Sequence, residues 1–241
     1  MEVGLASEDI NNLLIIAARQ TSSRFPNKVL KKIDGLPSIV YQYQRINNSK
    51  LIDHALVAVP ENINNKKLVD TLNDFNVPFF RGSEENLFQR FFECAESFKS
   101  KNVIRVNGDC PLISSSTIDD LILFFEEQKI DYASTIMDES YPLGEHVEIF
   151  SFEAFEKASN LELKNQEKEH LTPIFYKNKN IFRCKSLLKN YDFPDALRLC
   201  VDYLEDYEFI LKIVENLNGK QNFQLIDIID FVNKEKSLLK I

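Results

Sequence analysis

Three stretches of this 241-residue chain carry side chains suited to gripping and neutralising a polyphosphate. The first is Ala18-Arg19-Gln20-Thr21-Ser22-Ser23-Arg24-Phe25-Pro26-Asn27-Lys28, with three cations and three hydroxyls in eleven residues. Turn amides, hydroxyls and cations together make an anion cradle. It is not a GxxxxGK[ST] phosphate loop and contains no glycine. The alternative is a solvated surface loop with incidental charge. The second stretch is Asn107-Gly108-Asp109-Cys110-Pro111, where a carboxylate follows an apolar run and a glycine that allows close approach. It suits a magnesium ligand, or else an Asx turn. The third, Arg198-Leu199-Cys200-Val201-Asp202, again puts an Asp after apolar residues. Asp109 and Asp202 together could hold Mg²⁺ on a polyphosphate, although Asp202 is equally suited to capping the helix that follows. His146, Glu148, Glu169 and His170 could do acid–base or metal chemistry, yet their spacing forms no motif. His54 reads as structural or surface, and Phe79, Phe80, Phe91 and Phe92 as core.

These residues need elements to hold them. Leu13–Ala18, Ala55–Val59, Val77–Phe80 and Asn102–Val106 are short apolar runs, read as strands buried on both faces. Helical spacing falls between them, over Ser38–Asn47, Lys66–Phe75 and Glu84–Lys99, the last with Ser83 as its N-cap. A further helix opens at Ser116 or Thr117 and runs through Phe125. Strand, loop and helix recurring four times imply a mostly parallel sheet with helices on both faces. Ligands bind such sheets at the carboxyl ends of the strands. That rule points to Arg19–Lys28, Arg81–Ser83 and Asn107–Pro111. The middle of the chain is less regular. Strands are expected at Tyr132–Met137, Glu145–Phe150, Phe182–Leu187 and Leu197–Val201, with helices at Ser151–Ser159 and Glu205–Leu217. A last amphipathic helix is expected over Leu225–Leu239.

Composition bounds the function. Hydrophobic residues at 44% and charged residues at 27% suit one soluble α/β domain over residues 1–241, with an excursion at about 138–190 and a helical extension at about 219–241. A net charge of −8 argues against a nucleic-acid polymer as partner, since that needs a basic footprint. No apolar run reaches membrane-spanning length, and Met1–Asn12 lacks a secretory pattern. Cys94, Cys110, Cys184 and Cys200 have no metal-ligand spacing and read as free thiols in a reducing cytoplasm.

Six collinear blocks between Leu13 and Val214 resemble the cytidylyltransferases typified by spore coat polysaccharide biosynthesis protein F. That family is related to the CMP-3-deoxy-manno-octulosonate and CMP-acylneuraminate synthetases. Ile15 to Leu30 is similar to the family's strand-QAR-x-GSTRLPGK segment, and Phe80 to Arg90 to its RGSE segment. Val103–Ile113, Tyr141–Phe150, Glu169–Pro173 and Arg198–Asp202 complete the series. The resemblance implies a three-layer α/β/α sandwich with a mixed, mostly parallel sheet, of the nucleotide-diphospho-sugar transferase type. It implies CTP as donor, Mg²⁺ as cofactor, an acidic sugar of the 3-deoxy-2-keto acid type as acceptor, and a homodimer formed through the central excursion. Carried over by position, Ala17, Ala18, Arg19, Ser22, Arg24, Lys28, Asn107 and Asp109 would meet the nucleotide, and Arg81 would lie near the cytosine. Asp109 and Asp202 would hold the metal; Arg19, Lys28, Asp109 and Asp202 would be catalytic. Gly144, His146, Glu148, His170 and Arg198 would surround the acceptor. The chain departs from the family where glycines of the loop become Thr21 and Asn27 and the usual Asp becomes His146. Those departures leave other readings open: a non-sugar acceptor, a nucleotide-sugar glycosyltransferase, or a nucleotide-binding subunit without turnover.

Overall fold

The structure is a computed structural model that describes residues 10–138, 140–217 and 222–235. Strand β1 (Asn12–Ala17) lies between β4 (His54–Pro60) and a later strand, β6 (Asn102–Asn107), and is parallel to both. Strands β2 (Lys32–Ile33) and β3 (Leu36–Pro37) form a small hairpin ahead of β4. Strand β5 (Phe79–Gly82) adds to the free side of β4, also parallel. Past β6 the sheet turns mixed. Strand β7 (Tyr132–Ser134) and strand β8 (Glu148–Ser151) pair antiparallel, β8 runs antiparallel to β6, and β9 (Cys184–Ser186) closes the edge parallel to β7. The order is β5-β4-β1-β6-β8-β7-β9.

Alternation in β1 explains the layers. Leu14 and Ile16 point to one face, and Leu13 and Ile15 to the other, all fully buried. The first face packs on α1 (Ser38–Ile46), α2 (Lys66–Asp74) and a later helix, α4 (Ser115–Gln128). The second packs on α3 (Leu87–Ser97), α5 (Phe152–Ser159) and α7 (Pro173–Lys177), with the short α6 (Asn165–His170) alongside. Each such aliphatic side chain contributes about 1.5–3 kcal/mol by leaving water. A third cluster joins α8 (Leu204–Leu217) and α9 (Leu225–Lys234) to Ile33, Leu112 and Tyr141. This is the expected three-layer sandwich with a mixed, mostly parallel sheet.

Three local expectations are corrected. Helix α3 starts at Leu87, not Glu84: Asn86 is its N-cap, accepting from Gln89 N, and Ser83 Oγ instead accepts from Asn86 N in the turn before it. Leu197–Val201 is not a strand. It is an extended segment with one bridge, Arg198 to Leu143, because it runs past the strand ends and finds no full ladder. Strands β7, β8 and β9 are shorter than the expected Tyr132–Met137, Glu145–Phe150 and Phe182–Leu187, because only their paired residues enter the ladder. The final helix is described to Lys234, and its expected continuation to Leu239 lies partly outside the described residues.

Candidate active site

A cleft of about 1130 Å³ opens over the carboxyl ends of β1, β5 and β6. Of the residues singled out in the sequence, Ala17, Ala18, Arg19, Ser22, Arg24, Lys28, Asn107, Asp109 and His170 line it. The loop after β1 and the loop after β6 touch at Gly108. Its N–H donates to Ala17 O (2.8 Å), and a Cβ there would fall 2.9 Å from that of Ala18. Glycine is what lets the two loops meet.

Lys28 is the centre of the arrangement. Its Nζ donates to Asp109 Oδ2 (2.7 Å) and to Asp202 Oδ1 (3.0 Å), joining residues from distant parts of the chain. Arg24 also reaches Asp202 Oδ1, at 3.1 Å. Burial works against the Lys28 ammonium, but Asp109 and then Asp202 outweigh it and hold its pKa above the ordinary lysine value. Val201 N donates to Asp109 O (2.8 Å), so the backbone itself sets the two carboxylates side by side.

The loop keeps its shape through contacts the sequence did not announce. Gln20 N donates to the buried Asn65 Oδ1 (2.8 Å), and Gln20 Oε1 accepts from Leu68 N (3.1 Å), pinning the loop to the start of α2. Asn27 adopts a left-handed conformation, φ 57°, just before a 3-10 turn over Lys28–Leu30. Thr21 is not among the residues with positive φ. The glycine-like turn is therefore made at the position whose residue tolerates it.

Other sequence-chosen residues fall elsewhere. Arg81 does not line the cleft; Arg90 does, buried, with Nη1 donating to Ser83 O (2.9 Å) and Nε without an acceptor among the described residues. Burial, reinforced by the charge of Arg19, pushes Arg90 down to about 10. Glu148 is buried and ion-paired with Arg105 Nη1, its cross-strand partner in β6, and accepts from Tyr132 Oη (2.7 Å). It is a structural anion rather than a wall of the cleft. His146 also lies off the cleft wall, its pKa pushed down by burial against the pull of Glu148. Gly144, with φ +109°, packs on the backbone of Leu199, where a Cβ would come within 2.4 Å of the carbonyl carbon. Arg198 pairs with Asp206 (3.2 Å) and Asp202 (3.6 Å). The far wall is instead supplied by Asn165, Lys168, Glu169 and His170, with Arg105 beneath. Arg105 was findable: a charge inside the apolar run Val103–Val106 breaks the pattern. Arg90 likewise sits between Leu87 and Cys94 on an otherwise apolar stripe of α3. Nothing in the sequence marks Lys168.

The pair Asp109–Asp202 fits a hard divalent cation. The two carboxylates already share the Lys28 ammonium, with Arg24 also on Asp202, and among the described residues no group of three or more metal-binding side chains gathers. An ion held here would complete its shell with phosphate oxygens and water, as Mg²⁺ prefers. The cysteines are not candidates: Cys94, Cys110 and Cys200 are buried, and burial pushes each thiol up.

A mostly parallel sheet with a cation-rich loop after its first strand and two carboxylates at the same end defines a nucleotidyltransferase of the α/β type. The chain belongs to the cytidylyltransferase family, whose profile matches residues 13–236, and such enzymes take a nucleotidyl group from CTP. It is 31% identical over 228 residues to an uncharacterised protein of Methanocaldococcus jannaschii, covering 94% of this chain and 92% of that one. It is 26% identical over 228 residues to the spore coat polysaccharide biosynthesis protein SpsF of Bacillus subtilis, covering 92% and 94%. A 3-deoxy-manno-octulosonate cytidylyltransferase of Chloroherpeton thalassium is 36% identical over 118 residues, 48% of this chain and 46% of that one. Among solved structures, a cytidylyltransferase from Leptospira borgpetersenii superposes with a TM-score of 0.89 at 25% identity, covering 96% and 97%. CMP:2-keto-3-deoxy-manno-octonic acid synthetase complexed with CTP shares the fold, with a TM-score of 0.66 at 16% identity, covering 86% and 99%.

Proposed function

We propose that this protein transfers CMP from CTP to a hydroxyl of an acidic sugar, of the 3-deoxy-2-keto acid type, releasing pyrophosphate for surface polysaccharide or glycoconjugate synthesis. The observation that carries the reading is the Lys28–Asp109–Asp202 cluster at the strand ends, beside Arg19 and Arg24. Lys28, Arg19 and Arg24 bind the triphosphate. Asn107 is held by Gln42, which donates to its backbone oxygen (2.8 Å), and by Arg105, which donates to its side chain (3.1 Å), and so presents a fixed surface to the nucleotide. Asp109 and Asp202 would hold Mg²⁺, which supplies charge neutralisation at the α-phosphate and the leaving pyrophosphate. The acceptor oxygen forms its bond to the α-phosphorus as the bond to pyrophosphate breaks in line, and the hydroxyl proton is released. The protein contributes position and positive charge, with no covalent intermediate. Lys168, which stands in the far wall beside Glu169 and His170, offers a cation to a carboxylate on the acceptor.

We read the protein as cytoplasmic, and as a homodimer through the segment 138–190, which includes the edge strand β9. No helix among the described residues is long and apolar enough to cross a membrane. The test is Mg²⁺-dependent pyrophosphate release with CTP, UTP, ATP and GTP against a panel of 3-deoxy-2-keto acids, phosphonates and phosphorylated alcohols. Release with CTP and a keto acid is expected. Turnover only with a phosphonate or an alcohol overturns the acceptor class, and CTP binding without turnover on any of them overturns the enzyme reading. Sedimentation velocity tests the dimer.

A further inference from the structure

We infer that Asp206 is a positioning residue for Asp202. This rests on the reading of Asp202 as a metal ligand. Asp206 stands in the first turn of α8 and is largely shielded from solvent. Its Oδ2 accepts from the backbone N–H of Asp202 (2.9 Å) and of Tyr203 (3.0 Å). Its Oδ1 accepts from Arg198 Nε (3.2 Å), and the other end of that guanidinium lies 3.6 Å from Asp202 Oδ2. One carboxylate thus grips the backbone of Asp202 and, through Arg198, the oxygen of Asp202 that does not face Lys28. Asp202 Oδ1 is left to the cations of the cleft, Lys28 and Arg24.

The arrangement matters because Asp202 has no strand to hold it. The segment 197–201 is tied by a single bridge to Leu143, a turn bond from Leu197 N to Pro194 O and one backbone bond from Val201 to Asp109. A carboxylate on so sparse a support would sample several directions, and groups behind a ligand are what fix its direction. A plain helix cap would also satisfy the Asp202 and Tyr203 amides, but it would not need to recruit Arg198 to the second oxygen of Asp202.

The experiment measures binding of Mn²⁺, by electron paramagnetic resonance of the free ion, to the full chain saturated with α,β-methylene-CTP. Variants are Asp202→Asn, Asp206→Ala and Asp206→Asn, each checked by its unfolding midpoint. Asp206→Ala is expected to weaken Mn²⁺ binding about tenfold or more, with affinity for the CTP analogue changed by much less. Asp206→Asn, which keeps an oxygen for the two amides but loses the charge for Arg198, is expected to fall between Ala and wild type. If Asp202→Asn weakens Mn²⁺ binding while both Asp206 variants bind it as wild type does, the positioning role is overturned. If Asp202→Asn itself leaves Mn²⁺ binding unchanged, the metal reading fails first and takes this inference with it. Should Asp206→Ala not fold, the Asp206→Asn variant decides by the same criterion.

Discussion

Strand β6 carries two kinds of charge a few residues apart. At its carboxyl end, Asp109 faces the cleft and shares a lysine with Asp202. In its middle, Arg105 is locked across the ladder to Glu148 beneath the far wall. The first group is held at distances a ligand can rearrange. The second is neutralised inside the sheet, with Tyr132 and Thr172 completing its bonds. Both regions are rich in ionisable residues, and only the first opens on the cleft through Lys28 and Asp109. Type and spacing of residues name a candidate; what already satisfies them decides whether it is available.

Substitutions can break that contrast. The largest effect is expected from Asp109→Asn, which removes a charge aimed at the nucleotide. Pyrophosphate release should fall by about 10³-fold or more, with the urea midpoint unchanged; retained turnover would put Asp109 in the same class as Glu148. Glu148→Ala should do the reverse. Stranding Arg105 in the interior costs about 3–5 kcal/mol of stability in urea unfolding, and Glu148→Gln, which keeps the bond to Tyr132, costs less. A Glu148→Ala protein of normal stability but raised acceptor KM would restore Glu148 to the acceptor site.

Lys28→Met sharpens the first half. Losing charged hydrogen bonds worth about 2 kcal/mol should raise the CTP KM about thirtyfold, measured by initial rates. Glu145 offers a test through pH. It is fully buried and accepts from Ser114 N and Oγ, and burial lifts it from the ordinary 4.5 to about 7, against those bonds and Arg45. Its folded value lies above its unfolded one, so the native protein binds more protons between pH 4.5 and 7. Stability should therefore decline as pH rises through that window, by at most about 1.4 kcal/mol per unit from this group. Glu145→Gln should lose that slope in urea titrations at pH 5, 6 and 7. The smallest effect is expected at Asn27: Asn27→Ala should cost about 1 kcal/mol for the left-handed turn, and Asn27→Gly should recover most of it.

The nucleotide side was legible because chain order and space agree there. Strand ends in a parallel sheet point the same way, so Lys28, Asn107 and Asp109 could be placed together from the positions of β1 and β6 alone. Arg81, the next-to-last residue of β5, does not line the cleft, whereas Arg90 of α3 does. Glu148 and His146 also lie off the cleft wall. Their surroundings depend on a cross-strand register between segments over forty residues apart, and no local pattern announces that β8 will lie antiparallel beside β6. Asp202 meets Lys28 although it does not itself line the cleft, and the stretch before it has the composition of a strand but only one bridge of a ladder.

The stitch at Gly144 has one more consequence. The turn at 143–144 meets Leu199 through backbone alone: Leu199 N donates to Leu143 O at 2.6 Å, and the space beside Gly144 admits no Cβ. The turn at 143–144 and the carboxylate loop are thus registered without help from any side chain that lines the cleft. Substitutions among the side chains that line the cleft therefore leave this contact in place.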